Sequence, residues 1–425
     1  MDEYSRHLLQ EQVDADTVHL EAHLPGSLDL ERLRAAFARA LDGHPRLRVR
    51  QSDSRWWHRR YHWEPAAPGP GAVTAAADPD RARRLALADP PPLAAGPPLR
   101  LQAAPAPGGG TVLVLAAAHT LADAGSCLRL LCDLAEQYSG AAVPAPAAPA
   151  SVVGIRGVGQ GLRPAPGFAG RPARIAPTAH LAPAPGTGVH LSVLPLPAPP
   201  VPRAGSTWPR VTVNDLLLTA VRLTLAEWNR RHGRQDRPIH LSMPVDDRLD
   251  GPLASGAAMG NQNHLATIRD QPPHPAPPPG TTGAADTALR QISSQTRAAK
   301  AARTDGPGLT AALVSAPWLP VGVKAPLTRA LRRAAAPWTS TALVSNLGRV
   351  DHPLDFGPAG QAMALWFSAP VRMPRGLSVS ALTLNGRLHL AVRHCHQLLD
   401  QAAAAEIAQS CAEALDALSA QGQAR

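Results

Sequence analysis

Lysine is almost missing from this 425-residue chain. Of its 42 basic residues only Lys300 and Lys324 are lysines, and the arginines leave a formal charge of +10 against 32 acidic residues. Such a balance invites nucleic acid. The arginines are nevertheless spread along the sequence, the tightest group being "RWWHRRYHW" (Arg55–Trp63), and no tail or helix carries a dense basic stripe. No nucleic-acid partner is therefore expected, whereas acidic carrier proteins or phosphate-bearing coenzymes suit the charge. Trp56, Trp57 and Trp63 are expected to cover sheet or cleft surface while the arginines beside them face water. Cysteine is scarce too: Cys127, Cys132, Cys395 and Cys411 make no CxxC pair and no regular framework. That excludes a disulfide-stapled scaffold and fits a reduced, cytoplasmic protein. No apolar run reaches the roughly 18 residues a membrane span needs, and the polar opening "MDEYSRHLLQEQ" has no signal-peptide core, so no membrane partner is expected.

Hydrophobic residues make up 44% of the chain, ample for globular packing at a length that favours more than one core. Proline (46) and glycine (34) mark the joints. Their longest concentration, from about Ala141 to Pro202, cannot sustain a long helix, because proline lacks a donor and clashes one turn back. It divides the chain into a first lobe over 1–145, a linker over 146–187 and a second lobe over 188–425. "GVGQG" (Gly157–Gly161) lies in the linker, not between a strand and a helix, and is no nucleotide loop.

Four helices are predicted. Asp29 caps one whose Leu30, Leu33, Phe37 and Leu41 form a stripe before Gly43. A second follows Asp123, with Leu128, Leu131, Leu134 and Ala135 on one side. A third begins at Thr212 and Asp215, spaced like a capping box, and carries Leu217, Val221, Leu225 and Trp228 to Gly233. The last starts near Asp400. Strands are predicted at Thr111–Ala118, whose continuous apolar run implies cover on both faces, at Gly188–Leu196 and at Ile239–Val245. The clearest hairpin is "LSVSALTLNGRLHLAVRH", turning at Asn385-Gly386. Helices packed on mixed sheets in each half give an α/β (α+β) architecture.

The stretch richest in chemistry is "LVLAAAHTLADAGSCLRLL" (Leu113–Leu131), where a buried strand ends at His119. An imidazole at a strand end is where rigid scaffolds present a proton acceptor, worth about 10²–10⁴ in rate. Taken alone, such a histidine is more often a hydrogen-bonded structural residue. His394 and His396 of "RHCHQ" share a strand face as metal ligands can, but no third ligand is near and no metal is expected.

"PPLRLQAAPAPGGGTVLVLAAAHTLADAGSCLRLLCDLAEQYSG" resembles the core of the condensation-domain and acyltransferase superfamily, whose signature is HHxxxDG between an apolar strand and an amphipathic helix. "LPGSLDLERLRAAFARALDGHPRLRVRQ" is similar to its first helix and "TVNDLLLTAVRLTLAEW" to the first long helix of its second lobe. "LSMPVDDR", "MGNQNHLATI", "LVSNLGRV" and the terminal hairpin resemble later elements in the right order. The resemblance implies two chloramphenicol-acetyltransferase-like lobes in a V around a tunnel. There an acyl thioester, on phosphopantetheine of a carrier protein or on coenzyme A, meets an amine or alcohol. No tightly bound cofactor is implied, and a monomer is expected.

By this resemblance His119 matches the reactive histidine and Asp123 a structural aspartate that pairs with arginine. Arg248 is its first candidate partner and Arg48 the second. A direct orienting contact from Asp123 to His119 is the alternative. Backbone amides at Ala124 and Gly125 would line the tunnel near a developing oxyanion, and Asn261, Asn263, His264 and Ser345 would approach substrate from the second lobe. Two departures stand out. Ala118 replaces the first signature histidine, and Ala124 occupies the signature glycine position with Gly125 one step later. A member with lost or redirected chemistry (cyclase, epimerase or carrier-docking platform) is the rival reading.

Overall fold

The apolar run Thr111–Ala118 is the middle of a sheet, and every residue in it is buried. The computed structural model describes residues 16–140, 170–178, 185–199, 210–234, 237–248, 250–254, 256–270, 283–302 and 316–423. Its first part contains β1 (Thr17–Leu24), α1 (Leu30–Asp42), β2 (Val49–Gln51), β3 (Trp63–Pro65), β4 (Val73–Ala75), α2 (Pro79–Ala88), β5 (Leu99–Pro105), β6 (Thr111–Ala118) and α3 (Ala124–Ser139). The second part begins with β7 (Thr187–Pro195), α4 (Val213–Arg231), β8 (Leu241–Asp246), β9 (Asn263–Ile268), α5 (Ala284–Ala301) and α6 (Val321–Ala335). It ends with β10 (Ala342–Arg349), β11 (Ala364–Ser368), β12 (Leu377–Leu384), β13 (Arg387–Cys395) and α7 (Gln401–Gln423).

Local chemistry sets the ends of these elements. Asp29 caps α1 by accepting from the Arg32 N–H at 2.6 Å. Thr212 and Asp215 form a capping box at the start of α4. Asn385 and Gly386 both adopt positive φ (49° and 71°), the backbone a two-residue primed turn requires, and β12 and β13 pair antiparallel through it.

The first sheet has the order β11-β1-β6-β5-β4 and the second β7-β13-β12-β10-β8-β9. The sheets do not divide where the linker does: β11, from residues 364–368, pairs antiparallel with β1 and completes the first sheet. The first lobe is thus not built from residues 1–145 alone. Nor is the described part of the linker a loose connector. Ala173, Ile175 and Ala176 are buried in the second core, and Trp228 donates its indole N–H to the Ala176 carbonyl at 2.9 Å. The remainder of the 146–187 stretch lies outside the described residues, as does "GVGQG". Trp63 packs on the first core, but Trp56 and Trp57 are exposed. No helix among the described residues is long and apolar enough to cross a membrane.

β1 shows how the two sheets meet. Its Val18, Leu20, Ala22 and Leu24 enter the core shared with α1 and α3, so alternation sends His19, Glu21 and His23 to the opposite face. There Arg83 of α2 grips Glu21 with two hydrogen bonds of 2.8 and 2.7 Å, and His23 adds a third at 2.7 Å. Burial opposes the Glu21 charge, yet the bonds from His19, His23 and Arg83 outweigh it and hold the carboxyl well below its usual range. Buried Arg393 of β13 donates to the Thr17 carbonyl at 2.8 Å, tying the second sheet to β1.

Two further imidazoles in β13, His389 and His394, are buried, and burial pushes each pKa down to about 4 from 6.5. Above pH 6.5 both are neutral whether folded or unfolded. Between pH 6.5 and about 4 the unfolded chain takes up protons that the folded protein refuses, so stability falls across that window and levels off below it. Thermal melts taken across this pH range are expected to show that decline, and replacing either histidine by glutamine should flatten it.

Candidate active site

His119 sits one residue beyond β6, partly exposed, with its backbone N–H donating to the Asp16 carbonyl at 2.9 Å. Asp16 is itself held by Arg372 of the second lobe at 2.5 Å. The ring is fixed from the same side of the molecule. Asn261 donates its side-chain Nδ2 to the His119 carbonyl at 2.6 Å, and its Oδ1 lies 3.1 Å from His119 Nδ1. The two contacts are mutually consistent in only one sense. A carbonyl must receive an N–H, so the amide points its oxygen at the ring, and Nδ1 must carry the hydrogen. In the neutral ring Nε2 is then the nitrogen with the lone pair, and it makes no hydrogen bond to the described residues. This is the tautomer a proton acceptor needs.

Asp123 does not orient the ring. It caps α3, accepting from the Ser126 N–H at 2.8 Å, where a negative charge also complements the helix dipole. Its remaining capacity is spent across the lobes. Arg248 Nη2 reaches both carboxylate oxygens at 3.0 Å, the Gln262 N–H donates at 2.9 Å, and Asn263 Nδ2 at 3.3 Å. Arg248 also donates to the Ser126 hydroxyl and to the Ala258 and Gly260 carbonyls. Burial opposes its charge, and Asp123 more than offsets that, holding the guanidinium above its ordinary pKa.

Gly125 serves this contact through its bare Cα. A Cβ there would lie 2.8 Å from Pro252 Cβ and 3.1 Å from Arg248 Nη1, so its bare Cα lets the second lobe close on α3. Ala124 opens the helix and packs partly buried on the first core. Of the other predicted positions, Arg48 pairs with Asp42 on the surface, far from the motif's carboxylate network. His264 bonds Asp247 at 2.8 Å. Ser345 lies on β10 in register with Ser380, and no hydrogen bond joins it to the His119 network among the described residues. Sequence reasoning missed Ser126, whose hydroxyl bridges to the Gly260 carbonyl at 2.9 Å, and the Asp16–Arg372 pair.

Two other chemistries find no support. Cys127 is in the first turn of α3, but burial and the Asp123 charge raise its thiol far out of the nucleophilic range. Among the described residues no three His, Cys, Asp or Glu side chains are grouped to hold a metal.

No family model matches the chain. Two curated relatives from Mycobacterium tuberculosis, the uncharacterized proteins MT2362 and Rv2305, are each 29% identical over 383 residues, covering 84% of this chain and 84% of their own length. The first condensation domain of the CDA synthetase superposes with a TM-score of 0.63 at 17% identity, over 99% of this chain and 95% of that one. The chain has the condensation-domain fold. The starter condensation domain of rhizomide synthetase (TM-score 0.58, 14% identity, 99% and 95% covered) shares it. So does the epimerization domain from the third module of tyrocidine synthetase B (0.58, 16%, 99% and 93%).

Within the condensation-domain fold, Ala118 bears on packing and not on the ring beside it. It is the last residue of β6, wholly buried, paired with Thr17, and on the same strand face as Ala116, which packs on Ala82 and Ala86 of α2. A histidine there would press on α2.

Arg248→Ala strands the buried charge of Asp123, and Asp123→Ala removes the α3 cap and leaves Arg248 only the partly exposed Asp246, 3.0 Å from its Nη1. Asp123→Ala and Arg248→Ala are each expected to destabilise by about 3–5 kcal/mol, whereas Arg48→Ala on the surface should stay within about 0.5 kcal/mol. Denaturant or thermal unfolding of the three variants checks this ordering.

Proposed function

We propose that this protein is an acyltransferase of the condensation type, joining an acyl thioester to an amine or alcohol, with His119 as general base. The observation that carries the reading is the Asn261–His119 pairing, which leaves Nε2 unprotonated on a partly exposed ring. Nε2 takes the proton of an uncharged amine or a hydroxyl as that group attacks the thioester carbonyl. A C–N or C–O bond forms, the C–S bond breaks, and the proton passes from Nε2 to the departing thiolate, so a free thiol leaves. The donor is carried on phosphopantetheine or coenzyme A as a substrate. Most of the acceleration comes from holding donor and acceptor together in a tunnel between the lobes, since well-oriented pairs reach effective molarities of about 10⁵–10⁸ M. The developing oxyanion is assigned to the first-turn amides of α3, at Ala124 and Gly125.

The rival reading of lost or redirected chemistry rests on Ala118 and Ala124. The buried setting of Ala118 weakens it, because that position contributes nothing to the exposed side of His119.

Purified protein incubated with acyl-coenzyme A or acyl-carrier donors and a panel of amines and alcohols should release thiol and give acylated product by mass spectrometry. His119→Ala is expected to lower turnover about 10²–10⁴-fold with an unchanged melt. Asn261→Ala should lower kcat while leaving KM nearly constant, because it frees the tautomer without touching substrate. Wild-type rates in the His119 variant would remove the imidazole from the mechanism.

A further inference from the structure

The segment Arg55–Arg60 lies against the start of α6: the Gly322 N–H donates to the Trp56 carbonyl at 2.9 Å, the Val321 N–H to the His58 carbonyl at 2.7 Å, and Lys324 Nζ to the Arg59 carbonyl at 2.8 Å. That junction gathers apolar side chains that the described residues leave largely exposed. Trp56 is 67% exposed, Trp57 50%, Trp318 65% and Val323 45%. The exposure continues along the helix. Val323, Pro326, Ala330 and Ala334, spaced three and four apart, fall on one face and are all exposed, while Val321, Lys324, Ala325 and Thr328 on the other face are buried. At the far end stands Trp338, 52% exposed, with the Arg171 guanidinium 5.7 Å from its ring. The outward face of α6 therefore carries a run of exposed apolar side chains with Arg333 beside it.

Arginines stand beside this face among the described residues. Arg55, Arg59, Arg60 and Arg333 are exposed, and neither residues 55–63 nor residues 316–340 include an aspartate or glutamate. We propose that this face docks on an anionic lipid bilayer, with α6 lying in the plane of the headgroups. A helix of 15 residues is about 22 Å long, and indoles at both ends seat at the depth where tryptophan favours the interface. The arginines meet lipid phosphates, and the alanine, valine and proline side chains enter the acyl boundary. The surface lies on the membrane without crossing it, which amends the expectation of no membrane partner. This binding is independent of the acyl-transfer reading.

The full-length protein should float with vesicles of phosphatidylcholine and phosphatidylglycerol at low salt, with blue-shifted tryptophan emission, and not with phosphatidylcholine alone. Raising NaCl to about 1 M, where the screening length falls to about 3 Å, should release it. Trp57→Ala with Trp318→Ala, and separately Val323→Glu, are expected to weaken vesicle binding about tenfold with unchanged circular dichroism. Failure to float with anionic vesicles, equal binding to neutral ones, or binding undiminished in both variants would each overturn the proposal. Salt-sensitive retention on an oligonucleotide or an acidic protein without vesicle binding would overturn it as well. If the tryptophan pair misfolds, Val323→Glu decides.

Discussion

A buried carboxylate at the start of one helix, answered by a guanidinium from the other lobe, is the constraint on which the rest of this site depends. Asp123 has too little local partnership to be buried alone. Capping α3 satisfies one oxygen in part, and the charge itself is met only when Arg248 arrives from beyond β8. The loop that carries Gly260, Asn261 and Gln262 is drawn in by the same network, through the Ser126 hydroxyl and the Gln262 N–H. Asn261 is thereby delivered to His119. The ion pair does not touch the imidazole, yet it sets where the residue that does touch it must stand. A partner elsewhere in the first lobe could hold the charge but would not bring Asn261.

Much of the frame was readable without coordinates. Caps at Asp29 and Thr212 fix two helices because each side chain satisfies amides that the helix leaves open. The Asn385-Gly386 turn pins the β12–β13 register because both residues tolerate positive φ. β1 was not legible in the same way. Its Val18-Leu20-Ala22-Leu24 stripe alternates correctly, but the opposite stripe of His19, Glu21 and His23 reads as solvent-facing. In fact the second sheet covers it, and Arg83 and Arg393 compensate the burial. β11 was equally hidden, since the pairing of residues 364–368 with β1 crosses more than three hundred positions and leaves no local period. At the site, His119, Asp123 and Arg248 carried signals of type and position. Asn261 carried none that separated it from Asn263 or His264, because which amide reaches the ring depends on how the loop after β8 closes.

The site's chemistry follows from economy of contacts. One asparagine makes two hydrogen bonds to the same residue, one to its backbone and one to its ring, so the backbone contact decides the orientation of the side-chain contact. Among the described residues no carboxylate meets the ring, which stays partly exposed. Cys127, close by in sequence, is silenced by burial beside Asp123. What remains is a partly exposed imidazole at the end of a rigid strand, held by one asparagine of the second lobe.

The tautomer of His119 is the central claim, and imidazole ¹⁵N chemical shifts of the neutral protein measure it directly. The account predicts a protonated Nδ1 and a bare Nε2 in the native protein, and loss of that bias in Asn261→Ala. A protonated Nε2 in the native protein would contradict it, since the nitrogen assigned to accept the proton would already hold one.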